Sequence, residues 1–290
     1  DPTSGCGDVE PVYDDGTCSY DTDFFWFVSI EGDNENDGLS QDTPVRDIQF
    51  AIDNLASTSD TIIVAPGAYI ENISITKTIA LITEEYFNTG QTSDLYSTII
   101  DGGGNGSVIT LDDVGSNTLI TGFTITSGYA VSGGGISISN TPAPGPILEY
   151  LIITGNTATG DDWWGGGGIY VENSEFRGNR LLVTENISEE TGGGILLKSA
   201  TAELDQVTVV DNNAINGGGI YARFGSSINL HNSILWENSP QQIAFDSDGD
   251  LNHGYIYYTD LMPYRIALTF YKHSLDYYTQ KYILDLPLLL

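Results

Sequence analysis

Five residues carry the most chemical potential in this sequence. Counting six residues from the start of each Gly-Gly-Gly triplet reaches Ser139, Glu172, Lys198 and Arg223, and counting four reaches Ser137, Tyr170, Leu196 and Tyr221. If each triplet opens an equivalent strand, these sets form two parallel outward columns, because alternate side chains share one face. Aromatic rings at Tyr170 and Tyr221 beside Glu172, Lys198 and Arg223 could hold a sugar. A polysaccharide lyase needs such a basic group to remove an α-proton, together with carboxylates holding a cation that neutralises the uronate. The alternative is a solvated sheet face laced with cross-strand ion pairs.

Two acidic loops are candidate cation ligands. Asp33, Glu35 and Asp37 precede Gly38, and Asp246, Asp248 and Asp250 alternate in the same way. Oxygen-rich spacing of this kind suits calcium, although neither run matches a full EF-hand. No cofactor is required by the sequence, and calcium is the one it allows. The carboxylate pairs Asp112-Asp113 and Asp161-Asp162 lack the accompanying Gly-His-Gly of a polygalacturonase-type site. His231, His253 and His273 read as surface or structural residues, so no catalytic residue is assigned.

The element that must position these groups is a repeat. Gly-Gly-Gly-Ile begins at Gly133, Gly166, Gly192 and Gly217, at intervals of 33, 26 and 25 residues. Asn156, Asn186, Asn212 and Asn238 recur at 30, 26 and 26. Five before each Asn stand Leu151, Leu181, Val207 and Ser233, and three before stand Ile153, Val183, Val209 and Leu235. These columns predict an interior. A unit of this size cannot bury its apolar face alone, so coils must stack. The asparagines are expected to form a buried ladder, amide to amide. Upstream, Phe24 to Ile30 reads as a strand. Thr43 and Pro44 read as the N-cap and first residue of a helix over about 44–56 that covers the first coil. The fold class is therefore all-β, a right-handed parallel β-helix with a short N-terminal capping helix and a divergent C-terminal segment. Its divisions are an N-terminal segment 1–23, strand and helix 24–60, coils 61–254, and a Tyr-rich segment 255–290 that acts as a cap or subunit contact.

Composition narrows the partners. Nine Lys and Arg against 40 Asp and Glu give a formal charge of −31, which repels nucleic acid and anionic membrane surfaces. No apolar run of about 18 residues predicts a membrane span. Cys6 and Cys18 lie in a segment poor in apolar residues, where a disulfide is the economical reading. With a start at Asp1 that has no charged and apolar leader, this predicts a secreted protein whose export signal has been removed. Residues 261–290 contain none of the 34 glycines, and eight of 17 tyrosines lie from Tyr255 onward.

The stretch Phe27-Val28-Ser29, Asp37-Gly38-Leu39-Ser40, Thr43-Pro44 and Thr61 to Gly67 resembles the opening of secreted bacterial and archaeal right-handed β-helix proteins of pectate-lyase-like fold. The Gly-Gly-Gly-Ile units, with Phe176-Arg177-Gly178-Asn179 and the Asn markers, resemble repeats of polymorphic outer-membrane proteins, which are surface adhesins. Asn232 to Pro240 is similar to a segment near the end of β-helices that carry a C-terminal surface anchor. This resemblance implies the fold and leaves function open, since the fold hosts lyases, hydrolases, epimerases, adhesins and structural proteins. The leading expectation is a non-enzymatic structural or adhesive extracellular protein. Its partners would be copies of itself, joined head-to-tail through the C-terminal segment, or a cell-surface glycan. The alternatives are a calcium-dependent polysaccharide lyase or related carbohydrate-active enzyme, and a passive carbohydrate-binding module.

Overall fold

The computed structural model describes residues 24–90, 95–161, 163–246, 252–257 and 259–261, together with the backbone of 12–13, 18–19 and 266–267. Apart from one antiparallel pair between Val12–Tyr13 and Cys18–Ser19, every strand pairs in parallel with its counterpart one coil away, which makes a right-handed β-helix. Three faces run along it. The glycine-side sheet contains Ile136–Ser139, Ile169–Glu172, Ile195–Lys198 and Ile220–Arg223. The bent sheet follows, with Ile147–Thr154, Glu175–Thr184, Thr201–Asp205, Ser227–His231 and His253–Tyr257. Beyond its bend lies the ladder side, with Thr208–Val210 and Ile234–Trp236.

Each coil turns at left-handed residues, and these too are in register. Tyr150, Arg180, Gln206 and Asn232 have φ between 48° and 56°, as do Asn173, Ser199 and Phe224 at 48–54°. Such a φ costs an L-residue on the order of 1 kcal/mol, so the stack must over-determine it. The triplet glycines answer two demands. Gly166 adopts φ 70°, whereas a Cβ on Gly168 would stand 2.6 Å from the Gly194 carbonyl oxygen of the next coil. The first glycine makes the corner, and the third lets coils approach.

Inside, the predicted columns are closed to solvent. Leu151, Ile153, Val183, Val207, Val209 and Leu235 are all 0% exposed. Phe123 and Phe176 are the largest of the fully buried side chains in the same core. Next to it the asparagines form a continuous ladder. Nδ2 of Asn156 donates to Oδ1 of Asn186 at 3.0 Å, Asn186 to Asn212 at 3.0 Å, and Asn212 to Asn238 at 2.9 Å. Each Oδ1 also accepts the backbone N–H of the residue one coil earlier, and each Nδ2 donates to a carbonyl such as Val183 or Val209. Every buried amide is thus satisfied within the ladder, which is the condition for polar groups to be tolerated in a core. Gln242 receives the last amide at 2.6 Å.

The N-terminal end differs from the helix prediction. α1 spans Ile48–Asn54 and starts at Asp47, not Thr43. Residues 43–45 are taken up by the first strand instead: Val45 N–H donates to the Phe27 carbonyl and Ser29 N–H to that of Val45. The cap comes from elsewhere in the chain. Glu71 accepts from the amides of Ile48 and Gln49, and Lys77 Nζ donates to the carbonyls of Ile52 and Ala56. An acid at the N-terminus and a base at the C-terminus both complement the helix dipole. Phe27 N–H also donates to Gly38, so the outer edge of strand Phe25–Val28 is hydrogen-bonded by the loop 38–45. A second short helix, α2 (Glu84–Thr89), was not foreseen.

The C-terminal segment departs from the stack less than its composition predicts. His253–Tyr257, Asp260–Leu261 and Ile266–Ala267 pair in register as one more coil, because Tyr255-Ile256-Tyr257 repeats the out-in-out alternation of Asn229-Leu230-His231. The remainder of 262–290 lies outside the described residues, as do Cys6, Asp248 and Asp250.

Candidate functional site

The register places Ser139, Glu172, Lys198 and Arg223 in one column and Ser137, Tyr170, Leu196 and Tyr221 in another, on the glycine-side sheet. Their environment overturns the expected open face. Tyr170 is 2% exposed, Leu196 0% and Arg223 6%. The cover is a loop that the sequence analysis did not single out, carrying Trp163 and Trp164. Lys198 Nζ lies 4.3 Å from the Trp164 ring centroid, and Trp164 packs on Tyr170 at 5.9 Å. Trp163 stacks on Phe224 at 5.5 Å and 5°, with the Arg223 guanidinium 5.0 Å and 4.5 Å from their two centroids.

The charges along this column are paired with one another. Lys198 meets Glu172 at 2.8 Å and Arg223 meets Asp246 at 2.9 Å. Burial pushes the Tyr170 hydroxyl well above its ordinary range, and the neighbouring Glu172 charge adds to that shift. This face is therefore a packed cation–aromatic seam. A legible sign of the cover existed: Asn156 precedes its next glycine triplet by ten residues, whereas Asn186 and Asn212 do so by six and five. The surplus residues are those that carry the tryptophans.

The first acidic loop turns inward on itself. Asp33 Oδ1 accepts from the Glu35 amide, and Asp37 Oδ1 accepts from the Leu39 amide and the Thr43 hydroxyl. The Thr43 bond is the main reason the Asp37 carboxyl is held below its usual range. Asp246 is occupied by Arg223. Among the described residues, no group of three or more His, Cys, Asp or Glu is gathered as a metal site.

An open recess lies on the bent sheet. A groove of about 530 Å³ is lined by Arg177, Gly178, Asn179, Glu203, Leu204, Asp205, Asn229 and His231. Two outward columns build it, Arg177–Glu203–Asn229–Tyr255 and Asn179–Asp205–His231–Tyr257, while Leu204, Leu230 and Ile256 point into the core between them. His231 and Tyr257 stack at 4.7 Å and 19°. Arg177 Nη2 is anchored on the carbonyls of Ser116 (2.6 Å) and Gly145 (3.0 Å), and Asn232 Nδ2 steadies Asp205 Oδ1 at 2.8 Å. Two groove atoms, Asn179 Oδ1 and Arg177 Nε, are buried with no hydrogen-bond partner. Such orphans are uncommon in native proteins and call for an explanation.

Apart from His231, the sequence analysis assigned none of these residues a role on their own account. Stacking Arg177-Gly178-Asn179, Glu203-Leu204-Asp205 and Asn229-Leu230-His231 by the alternation used for the other face would have found them.

Comparison with known proteins bears on the fold. The family model described as a right handed beta helix region matches residues 88–253. Among solved structures, the chain is similar to the deglycosylated pectin methylesterase from Aspergillus niger, with 14% identity and a TM-score of 0.37 over 84% of this chain and 87% of that one. It is similar to Escherichia coli ybhc at 12% identity and a TM-score of 0.33, covering 86% and 87% of the two chains. For the GH136 lacto-N-biosidase from Eubacterium ramulus the figures are 10%, 0.29, 82% and 68%. No curated protein matches. The family match spans more than half of the chain and coincides with the stacked coils, so the protein belongs to the right-handed β-helix family.

Proposed function

We propose that this β-helix is an extracellular glycan-binding protein whose ligand lies along the groove on the bent sheet. The observation that carries this reading is the pair of outward columns, which offer one polar group per coil on each side of the recess. Coils about 4.8 Å apart present Asn179, Asp205 and His231 as a ladder of donors and acceptors. A polymer with regularly spaced hydroxyls complements such a ladder. The adhesive expectation is kept in this form, with a glycan as the surface recognised. Head-to-tail assembly by strand pairing is less well supported, because the outer edge of the first strand is already bonded to loop 38–45.

Hydrolysis is a second reading, motivated by Glu203 and Asp205. They stand two residues apart on one strand face, with Cα atoms about 7 Å apart by strand geometry, and a pair of carboxyl groups flanking the scissile bond is what glycosidases use. A glycan array followed by calorimetry on the hits tests the binding reading. Loss of binding in Glu203→Ala/Asp205→Ala, with Lys198→Ala/Arg223→Ala retaining it, is the expected result; the reverse pattern would return the site to the glycine-side face. Release of reducing ends from a bound glycan would establish hydrolysis.

A further inference from the structure

We infer that the groove selects uncharged glycans and rejects polyuronates, an inference that rests on the glycan-binding reading above. The recess is rich in acceptors. Glu203 and Asp205 contribute carboxylates to its lining. Glu149 extends the Asn179–Asp205 column by one coil on its N-terminal side.

Of the cations at the groove, Arg177 keeps its charge beside the two carboxylates, whereas Arg180 is paired. Nη2 of Arg177 is held by the Ser116 and Gly145 carbonyls. Arg180 bonds Glu149 at 3.1 Å and lies 5.0 Å from the Tyr150 ring centroid. Sugar hydroxyls bring donors to the Glu203 and Asp205 carboxylates. A uronate brings another carboxylate, and the chain as a whole carries a formal charge of −31. Repulsion by two carboxylates at about 5 Å in a water-exposed recess, offset in part by Arg177, corresponds to roughly a fourfold loss of affinity per uronate seated there. A polyuronate ligand would need a counter-cation to bridge its carboxylates to Glu203 and Asp205, which is why the test includes calcium.

The test is calorimetry with cello-, xylo- and mannohexaose against hexagalacturonate and hexaguluronate, each in calcium and in chelator, at low and high salt. Binding of at least one neutral hexamer, with uronates about fourfold weaker or absent and gaining affinity with salt, is the expected result. Uronate binding as tight as or tighter than any neutral hexamer, with or without calcium, overturns the selectivity and leaves glycan binding standing. No binding to any hexamer overturns the glycan reading as well. The charge-neutral variant Glu203→Gln/Asp205→Asn supplies an independent measure. Provided its melting temperature matches the parent, its discrimination against uronates should be lost; unchanged discrimination counts against the inference.

Discussion

The glycine-side sheet and the bent sheet are built from the same device, outward columns of polar and aromatic residues repeated once per coil, yet one is sealed and the other open. On the first, Trp163 and Trp164 fold over Tyr170, Leu196, Lys198 and Arg223. On the second, Glu203 and His231 remain exposed beside a recess. The difference teaches that the columns of a solenoid decide what is displayed, while insertions at its corners decide what a ligand can reach.

The sharpest way to break this comparison is to exchange the two faces. Glu203→Ala/Asp205→Ala should weaken binding of a glycan hit by a hundredfold or more, whereas Lys198→Ala/Arg223→Ala should change it less than threefold, both read by calorimetry. Next comes the cover itself. Trp164→Ala removes a half-buried ring from Lys198 and Tyr170 and should cost about 2–4 kcal/mol in denaturant unfolding, with new fluorescent-dye binding at the opened seam and no change in groove affinity. A smaller loss, about 1–3 kcal/mol, is expected for Lys198→Met, which leaves the partly buried Glu172 without its cation. In the double variant Lys198→Met/Glu172→Leu, much of that loss should return.

The smallest effects concern pH and also separate regions. Asp112 is held below its ordinary 3.8 by hydrogen bonds from Ser139 first and Asn140 second. Its folded pKa is lowered, so its contribution is present above the unfolded value and is lost as pH falls through the folded one. Glu71 is the opposite case, raised above 4.5 chiefly by burial. Its contribution is present below the unfolded value and is lost as pH rises through the folded one. Melting temperatures measured across the acid range should therefore fall less steeply toward low pH in Asp112→Asn than in the parent, and more steeply in Glu71→Gln.

Much of the fold was legible because its rules are local and periodic. Leu151, Leu181 and Val207 share a column at a constant offset from an Asn, and the structure buries all three. Asn186 and Asn212 could be read as a ladder because a buried amide at a fixed step has its own copy as the nearest partner. The helix start was misread because Thr43-Pro44 is a sound local signal that lost to a pairing with Phe27 and Ser29. The groove was missed for a different reason. Asn179, Asp205 and His231 differ in type from coil to coil, so nothing in their identities marks them as a set until register aligns them.

The sequence by itself determined a stack of coils, because glycine corners, alternating apolar residues and a repeating amide can be satisfied together only by copies lying side by side. Tertiary structure alone decided which face is open. Whether Tyr170 or Asp205 meets solvent depends on where a corner loop of a few residues comes to rest, and that is set by ring packing and ion pairing between coils, which no single coil's sequence contains.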